Sequence, residues 1–168
     1  HDVIGVFMNN WAEEDDSGVC TAESDWADVR SVCDKIGIPY YAVNFQKEYM
    51  DRVFQRFLSE YRRGRTPNPD VLCNREIKFS ALRDLDVRLG AEKLATGHFA
   101  RADESDGRAR LLMSRDPNKD QTYFLYMLDQ AQLEMALFPV GGMTKAEIRA
   151  VALEAGLATR MIEPVRIA

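Results

Sequence analysis

The sequence predicts an α/β domain built on a parallel β-sheet, and three observations support this fold class. Two apolar runs, Val3 to Met8 and Ile38 to Phe45, are typical of strands that are buried on both faces. Between them, apolar residues recur at helical spacing from Trp26 to Ile36, and Gly37 follows at a suitable C-terminal cap position. Strand, helix and strand in this order are typical of a parallel pair with a crossover helix.

The segment from Lys47 to Arg63 has the clearest helical periodicity in the chain and predicts a second helix. Two prolines within residues 65 to 69 keep that segment out of a helix, because each restricts its own backbone and that of its predecessor. A further helix is predicted from about Asp70 towards Leu89, followed by a short strand from Glu92 to Thr96.

The last part of the chain predicts a hairpin and several helices. Phe99 to Ala102 and Ala109 to Ser114 flank a Ser-Asp-Gly turn and are expected to pair. Asp120 is expected to cap a helix, and a second short helix is predicted near Asp129. Thr144, with a glutamate three residues later, forms a capping-box pattern for a helix that ends near residue 156.

The composition of the 168 residues is that of a globular protein with one core, or one core and part of a second. With 46% hydrophobic and 29% charged residues, the chain contains no apolar run long enough to cross a bilayer, and no membrane partner is expected. Its first residues are typical of a strand and not of a signal peptide, so the chain is interpreted as a fragment.

Three cysteines at long spacings argue against a disulfide framework and against a zinc site. A reducing, intracellular location is therefore expected. Cys33 lies on the apolar stripe of the first predicted helix and is interpreted as a core residue. Cys20 lies in an acidic loop whose carboxylates disfavour a thiolate, so it is expected to be inert.

Cys73 is the strongest candidate for chemistry. It follows a Pro-Asn-Pro-Asp turn near the start of a predicted helix, and Arg65, Arg75 and Lys78 are close in sequence. Helix N-termini and nearby cations both stabilise a thiolate, which is the nucleophilic form. Asp70 precedes the cysteine by about one helical turn. It is expected to act there as a capping group or as a general acid or base. Spacing alone leaves a structural role for Cys73 open.

His98 and the segment from Lys119 to Gln121 are candidates for ligand binding. His98 follows a predicted strand, and ligands of open α/β sheets bind beyond the carboxyl ends of strands. The second segment offers a cation, a cap and an amide at a predicted helix start, where phosphates bind readily. A histidine hydrogen-bonded at the sheet edge and an ordinary capped helix are the alternatives. The net charge of −5 does not favour a nucleic-acid partner, but residues 62 to 78 form a local basic patch.

Five segments carry a resemblance that extends from residue 5 to about residue 160. They are Gly5 to Trp11, Gly64 to Phe79, Ala95 to Arg101, Asp116 to Leu125, and Phe138 to Gly142. Together and in this order they resemble the tRNA-specific 2-thiouridylases of the MnmA family, and the second segment alone, GRTPNPDVLCNREIKF, is highly specific. The resemblance implies a PP-loop ATP pyrophosphatase fold, similar to the adenine-nucleotide α-hydrolases, with a helical tRNA-binding extension.

The chemistry that the resemblance implies is the 2-thiolation of the wobble uridine of tRNA. In the family, ATP together with Mg²⁺ adenylates the 2-carbonyl oxygen of this uridine, and a persulfide sulfur then displaces AMP. The sulfur comes from a cysteine desulfurase or a sulfur-relay protein. Two cysteines, which also form a disulfide, share the sulfur step, and Cys73 matches the first of them.

The resemblance also implies roles for individual residues. Asp70 matches a position suited to a catalytic proton shuttle beside Cys73. Contacts with the adenosine of ATP are implied for Met8 and Gly97. Contacts with tRNA are implied for Asn68, Pro69, Asp70, His98, Lys119, Asp120 and Gln121. No residue of the chain is assigned to a metal.

Three regions are expected along the chain. Residues 1 to 100 form part of the ATP pyrophosphatase-like catalytic domain, and residues 101 to 160 form a hairpin and a helical region that contacts tRNA. Residues 161 to 168 are unassigned, with a strand of the family's C-terminal barrel as one interpretation. The family's SGGVDS-type phosphate loop and its second cysteine have no counterpart here, so this fragment alone is expected to be inactive.

Two other function classes stay open on the sequence. One is another ATP-dependent adenylating enzyme of the same fold, such as one that synthesises asparagine or argininosuccinate, which would not need Cys73. The other is a non-catalytic RNA-binding module with a structural cysteine. The expected location is the cytoplasm of a bacterium, with a mitochondrion as the alternative.

Overall fold

The predicted strand-helix-strand unit is present in the computed structural model, which describes residues 1–11, 21–84 and 90–157. Strand β1 (Gly5–Asn9) pairs in parallel with β2 (Tyr40–Asn44), and helix α1 (Thr21–Ile36) connects them. In the register of this pair, the first residue of β1 lies opposite the first residue of β2. The prediction of a parallel sheet is confirmed, whereas Cys20 lies outside the described residues.

Cys33 lies at the close contact between α1 and β1. Its side chain is 5% exposed, which confirms its interpretation as a core residue. A Cβ atom built on Gly5 would lie 2.8 Å from the Sγ of Cys33 and 3.3 Å from the Cβ of Tyr40. Only glycine therefore fits at the start of β1 while the sulfur keeps its position.

Replacing Gly5 with alanine is expected to destabilise the protein by about 1 to 3 kcal/mol, because the added methyl group overpacks the contact with Cys33. The double variant Gly5→Ala with Cys33→Ala removes the sulfur and should lose less than the two single losses combined. Urea unfolding of the full-length protein measures all three values. If the double variant loses as much stability as the two single variants together, the close approach of Gly5 to Cys33 is contradicted.

The second predicted helix is present but contains a wider turn. It consists of α2 (Gln46–Tyr49), a π-helical turn (Met50–Phe54) and α3 (Gln55–Arg62). After the proline-containing turn, α4 (Pro69–Cys73) continues directly into a π-helical segment (Asn74–Leu82). Residues 85–89, where the third helix was expected to end, lie outside the described part of the chain.

Two further pairs of strands complete the described sheet structure. Strand β3 (Leu94–Ala95) pairs in parallel with β6 (Ala136–Leu137). The predicted hairpin is confirmed, with β4 (Ala100–Ser105) antiparallel to β5 (Arg108–Met113). Its two turn residues have positive φ angles, 55° for the aspartate and 70° for the glycine that follows, as expected for a tight hairpin turn.

The prediction of a helix after Asp120 is wrong, because the structure has only a single 3-10 turn (Thr122–Phe124) there. The carboxylate of Asp120 accepts hydrogen bonds from the backbone N–H of Ser114 at 2.7 Å and of Thr122 at 3.3 Å. These bonds hold the segment against the end of β5, and an Asp side chain that bonds nearby backbone competes with a helix.

Both later helices are confirmed. Helix α5 (Gln130–Met135) begins at a capping box of Asp129 and Gln132, and α6 (Lys145–Glu154) begins at the predicted box of Thr144 and Glu147.

One core cluster joins the strands β3 to β6 to the π-helical segment. Its most buried members are Phe79 and Leu125, each 1% exposed, and Ala100, at 0%. Three apolar side chains of the first two strands pack against this cluster: Val6 and Met8 of β1 and Val43 of β2. Among the described residues, no helix has the length and apolar character needed to cross a membrane.

Candidate functional site

Cys73 is the last residue of α4, and the helix start before it is built as a rigid cap. The Asn68 side chain accepts hydrogen bonds from the backbone N–H of Asp70 at 3.0 Å and of Val71 at 3.4 Å. Pro69 occupies the first helical position, where its missing N–H costs no hydrogen bond. Four residues later, Cys73 points into a small apolar cluster and is 9% exposed.

The environment of Cys73 favours the neutral thiol. Burial raises the pKa of the thiol, the charge of Lys78 lowers it, and the charge of Asp70 raises it, with burial the largest effect. The expectation of a thiolate is therefore not met in this structure, although the cation Lys78 acts in the expected direction. Cys73 lies beyond the first turn of α4, where the unpaired N–H groups of the helix end no longer face it.

Two residues that sequence reasoning did not single out lie beside the sulfur. The Nδ2 of Asn10 lies 4.0 Å from the Sγ of Cys73, and its Oδ1 is buried with no hydrogen-bond partner among the described residues. Tyr49 packs against the same apolar cluster, and the pKa of its hydroxyl is raised by burial and by the charges of Cys73 and Asp70. In the sequence, Asn10 belonged to the segment Gly5 to Trp11 and Tyr49 to the apolar face of the second predicted helix, and neither pattern marked it as a site residue.

His98 is held as a neutral imidazole. Its Nδ1 lies 2.8 Å from the Oγ1 of Thr96, and its ring lies 6.3 Å from Phe79 and 6.2 Å from Phe138. Burial, with a smaller effect from the charge of Lys78, lowers the pKa of His98 from 6.5 to about 4. At neutral pH the side chain offers one donor and one acceptor and carries no charge.

His98 is expected to make folding stability depend on pH between about 4 and 6.5. The unfolded chain binds a proton at the ordinary pKa, whereas the folded protein binds it only near pH 4, so stability falls as the pH falls through this interval. Urea unfolding of the full-length protein at pH 7 and pH 5 should show a smaller loss for His98→Gln than for the wild type. An NMR titration midpoint of His98 near 6.5 would contradict the lowered pKa.

The segment from Lys119 to Gln121 is joined to the backbone next to His98. Gln121 accepts a hydrogen bond from the backbone N–H of Phe99 at 2.9 Å and donates its own backbone N–H to the Phe99 carbonyl at 2.8 Å. Lys119 is exposed, whereas the carboxylate of Asp120 is occupied by the hydrogen bonds described above. Only Lys119 and the NH₂ of Gln121 are thus left to face a ligand from this segment.

Further contacts join these segments to Cys73. Asn74 is 2% exposed and donates its Nδ2 to the carbonyl of Phe124 at 3.0 Å. Lys78 acts electrostatically on both Cys73 and His98. The structure therefore brings Cys73, His98 and Gln121 into one region, although the sequence separates them by many residues.

Met8 and Gly97 lie at the carboxyl ends of parallel strands. Met8 is the fourth residue of β1 and packs against both core clusters, and Gly97 follows β3 by two residues. A Cβ atom built on Gly97 has no heavy atom within 4 Å, so this side of the backbone is open. Within the part of the chain that the structure describes, no three His, Cys, Asp or Glu side chains are grouped as metal ligands.

Comparison with known proteins gives consistent matches. The family model described as "tRNA methyl transferase HUP domain" matches residues 1–163. The chain is 62% identical over 159 residues to a protein from Alkaliphilus oremlandii named tRNA-specific 2-thiouridylase MnmA. It is 59% identical over 160 residues to a protein of the same name from Enterococcus faecalis. In both cases the match covers 95% of this chain but only 44% and 43% of the relative's length.

Proposed function

Because the chain belongs to the family of tRNA methyl transferase HUP domains, we propose that the protein of which it is part transfers sulfur to the 2-position of the wobble uridine of tRNA. The observation that carries this proposal is the position of Cys73, which follows the rigid turn of Asn68 to Asp70 and is linked to His98 through the charge of Lys78. The names of the two relatives support the sulfur chemistry.

Cys73 is the proposed nucleophile that handles the sulfur, and it starts as a neutral thiol. A neutral thiol must lose its proton before it attacks a persulfide sulfur, since the thiolate is the reactive form. Asp70 is exposed and one helical turn from Cys73, and we assign it the proton transfer. Cys73 then acts together with a second cysteine outside this chain.

The turn before α4 is the proposed seat of the target base. The side-chain oxygen of Asn68 already accepts the two hydrogen bonds of the helix cap, so its NH₂ group is left as a donor for a ligand. The carboxylate of Asp70 provides an acceptor beside it. Such a pair recognises the donors and acceptors on the edge of an unstacked base. His98, Lys119 and Gln121 then contact the neighbouring nucleotides, with Asp120 as the residue that holds this segment in place.

Met8 and Gly97 are the residues proposed to hold the adenosine of ATP. Parallel α/β sheets bind nucleotides beyond the carboxyl ends of their strands, where Gly97 lies. The backbone of Gly97 is open on the side where a Cβ atom would stand, so a nucleotide can approach it closely. Bound there with Mg²⁺, ATP would supply the adenylyl group that activates the uridine oxygen. The residues of this chain contribute an apolar contact from Met8 and a close backbone approach at Gly97.

The proposed partners are tRNA and a protein that supplies persulfide sulfur, either a cysteine desulfurase or a relay protein. A cytoplasmic location in a bacterium is part of the same proposal, supported by the bacterial relatives. The basic residues between positions 62 and 78 favour a phosphate backbone locally, although the chain as a whole is acidic.

The function is tested by expressing the full-length gene in a bacterial strain that lacks tRNA 2-thiolation. Cellular tRNA is separated on a gel that contains a mercury reagent, which retards thiolated species. We expect a retarded band, and purified protein should reproduce it only when ATP and a persulfide donor are present. A folded protein that binds tRNA and never produces the band would contradict the proposal and favour a non-catalytic RNA-binding module.

A further inference from the structure

The sulfur of Cys73 lies where a negative charge is poorly tolerated. The side chains of Val53, Leu72 and Ile77 surround it, at 0%, 7% and 0% exposure. The amide Nδ2 of Asn10 lies 4.0 Å from the sulfur and carries no charge. A thiolate at this position therefore needs a compensating charge, because desolvation disfavours the charged form.

Three titratable groups face Cys73, each from a different element. Tyr49 approaches from α2, Asp70 from the first turn of α4, and Lys78 from the π-helical segment. Asp70 and the neutral Tyr49 provide no positive charge. Lys78 is the one cation that acts on the sulfur within the described part of the chain.

The π-helical hydrogen bonding places Lys78 on the same side of the helix as Cys73. In such a segment each N–H bonds the carbonyl five residues earlier, so a residue five positions further on follows after a little more than one turn, on nearly the same face. In an α-helix, five residues advance about 500°, and Lys78 would be rotated by about 140° from Cys73. The wide turn therefore places Lys78 on the side of the helix that carries Cys73.

Lys78 is half-buried between Ile77 and Phe79, which are 0% and 1% exposed. Other basic side chains nearby are paired with carboxylates, as Arg75 is with Glu76 at 3.5 Å. Lys78 forms no ion pair with any carboxylate of the described residues. Its charge acts instead on two groups of the candidate site, Cys73 and His98. A partly desolvated lysine without an acidic partner is suited to stabilise an anion that forms during a reaction.

We propose that Lys78 is a positioning residue that stabilises the thiolate of Cys73 and so sets how readily this cysteine reacts. The inference rests on the proposed function, in which Cys73 handles the sulfur. The same charge opposes protonation of His98, so the cation at this site is Lys78 and not the imidazole. When the thiol ionises, its proton passes to Asp70, the residue to which the proton transfer is assigned, and Lys78 keeps its role as the neighbouring cation.

The experiment compares Lys78→Met and Lys78→Arg in the full-length protein with the wild type. Iodoacetamide alkylates the thiolate, forming a sulfur–carbon bond with loss of iodide, and mass spectrometry of the peptide that carries Cys73 gives the rate at each pH. We expect Lys78→Met to slow alkylation of Cys73 about tenfold at pH 7.5, which corresponds to one unit in the pKa of the thiol. Lys78→Arg should restore most of the rate, and Lys47→Met, an exposed lysine paired with Asp51, should change nothing.

The pH profile separates a charge effect from a change of structure. If Lys78 acts through its charge, the wild-type and Lys78→Met rates converge at high pH, where the thiol is fully ionised. An unchanged profile in Lys78→Met, or a rate reduced equally at every pH, overturns the proposal. Since alkylation needs neither tRNA nor ATP, its result is independent of the proposed function, which fails separately if Cys73→Ser leaves tRNA thiolation intact.

Discussion

Replacing Cys73 with serine in the full-length protein is expected to abolish thiolation of tRNA while the fold is retained. The serine hydroxyl occupies nearly the same volume as the thiol in the cluster of Val53, Leu72 and Ile77, so packing changes little. An alcohol ionises far less readily than a thiol and cannot carry a persulfide sulfur. We expect the retarded tRNA band to disappear, a loss of at least about a thousandfold in rate.

Cys33→Ser is the matched control for this substitution. Cys33 is equally buried but packs against Gly5, on the far side of β1 from the candidate site. The control should cost some stability through its buried hydroxyl and leave thiolation in place. Binding of tRNA by Cys73→Ser, measured in a filter assay, should persist. Normal thiolation by Cys73→Ser would remove Cys73 from the sulfur step.

Replacing Gly141 with alanine is expected to cause the largest loss of stability of any single methyl group added to the described glycines. A Cβ atom built there lies 1.5 Å from the carbonyl oxygen of Ala100 and 2.5 Å from its carbonyl carbon. Both are backbone atoms, so no side chain can rotate away. Two further bonds fix the position, because Gly141 donates its N–H to Phe138 at 3.0 Å and accepts one from Arg115 at 2.9 Å.

The variant must therefore move the start of β4, which begins two residues after His98. We expect a destabilisation of about 3 kcal/mol or more in urea unfolding, with a loss of thiolation beyond the loss of folded protein. Gly142→Ala provides the control, since a Cβ atom built there meets nothing within 4 Å. Equal stability of the two variants would show that the close approach to Ala100 does not exist in solution.

The sequence predicted those elements whose signals are local. The parallel pair of β1 and β2 followed from two apolar runs around a helix, the hairpin from its Asp-Gly turn, and α6 from the box of Thr144 and Glu147. Each signal depends on a few neighbouring residues, and their physical meaning does not require the rest of the fold. The matching family segments added the fold type and the expected roles of Cys73 and Asp70.

The properties of the site that depend on distant contacts were not predictable in the same way. Buried Leu72 of α4 and buried Ile77 and Leu82 of the π-helical segment recur every five residues, whereas periodicity analysis assumes about 3.6. The ionisation state of Cys73 depends on burial by other elements, and sequence neighbours suggested the opposite result. The failure of the helix after Asp120 has the same origin, because its carboxylate bonds the end of β5.

The cap that Asn68 forms before α4 has an entropic consequence for RNA binding. Fixing the backbone of one flexible residue costs about 1 to 2 kcal/mol in lost conformational entropy. In the turn before Cys73, the two prolines and the two hydrogen bonds to Asn68 have already imposed this order during folding. In the proposed function, a base that docks there does not have to order the turn first, so more of its binding free energy is available for holding the base near the thiol.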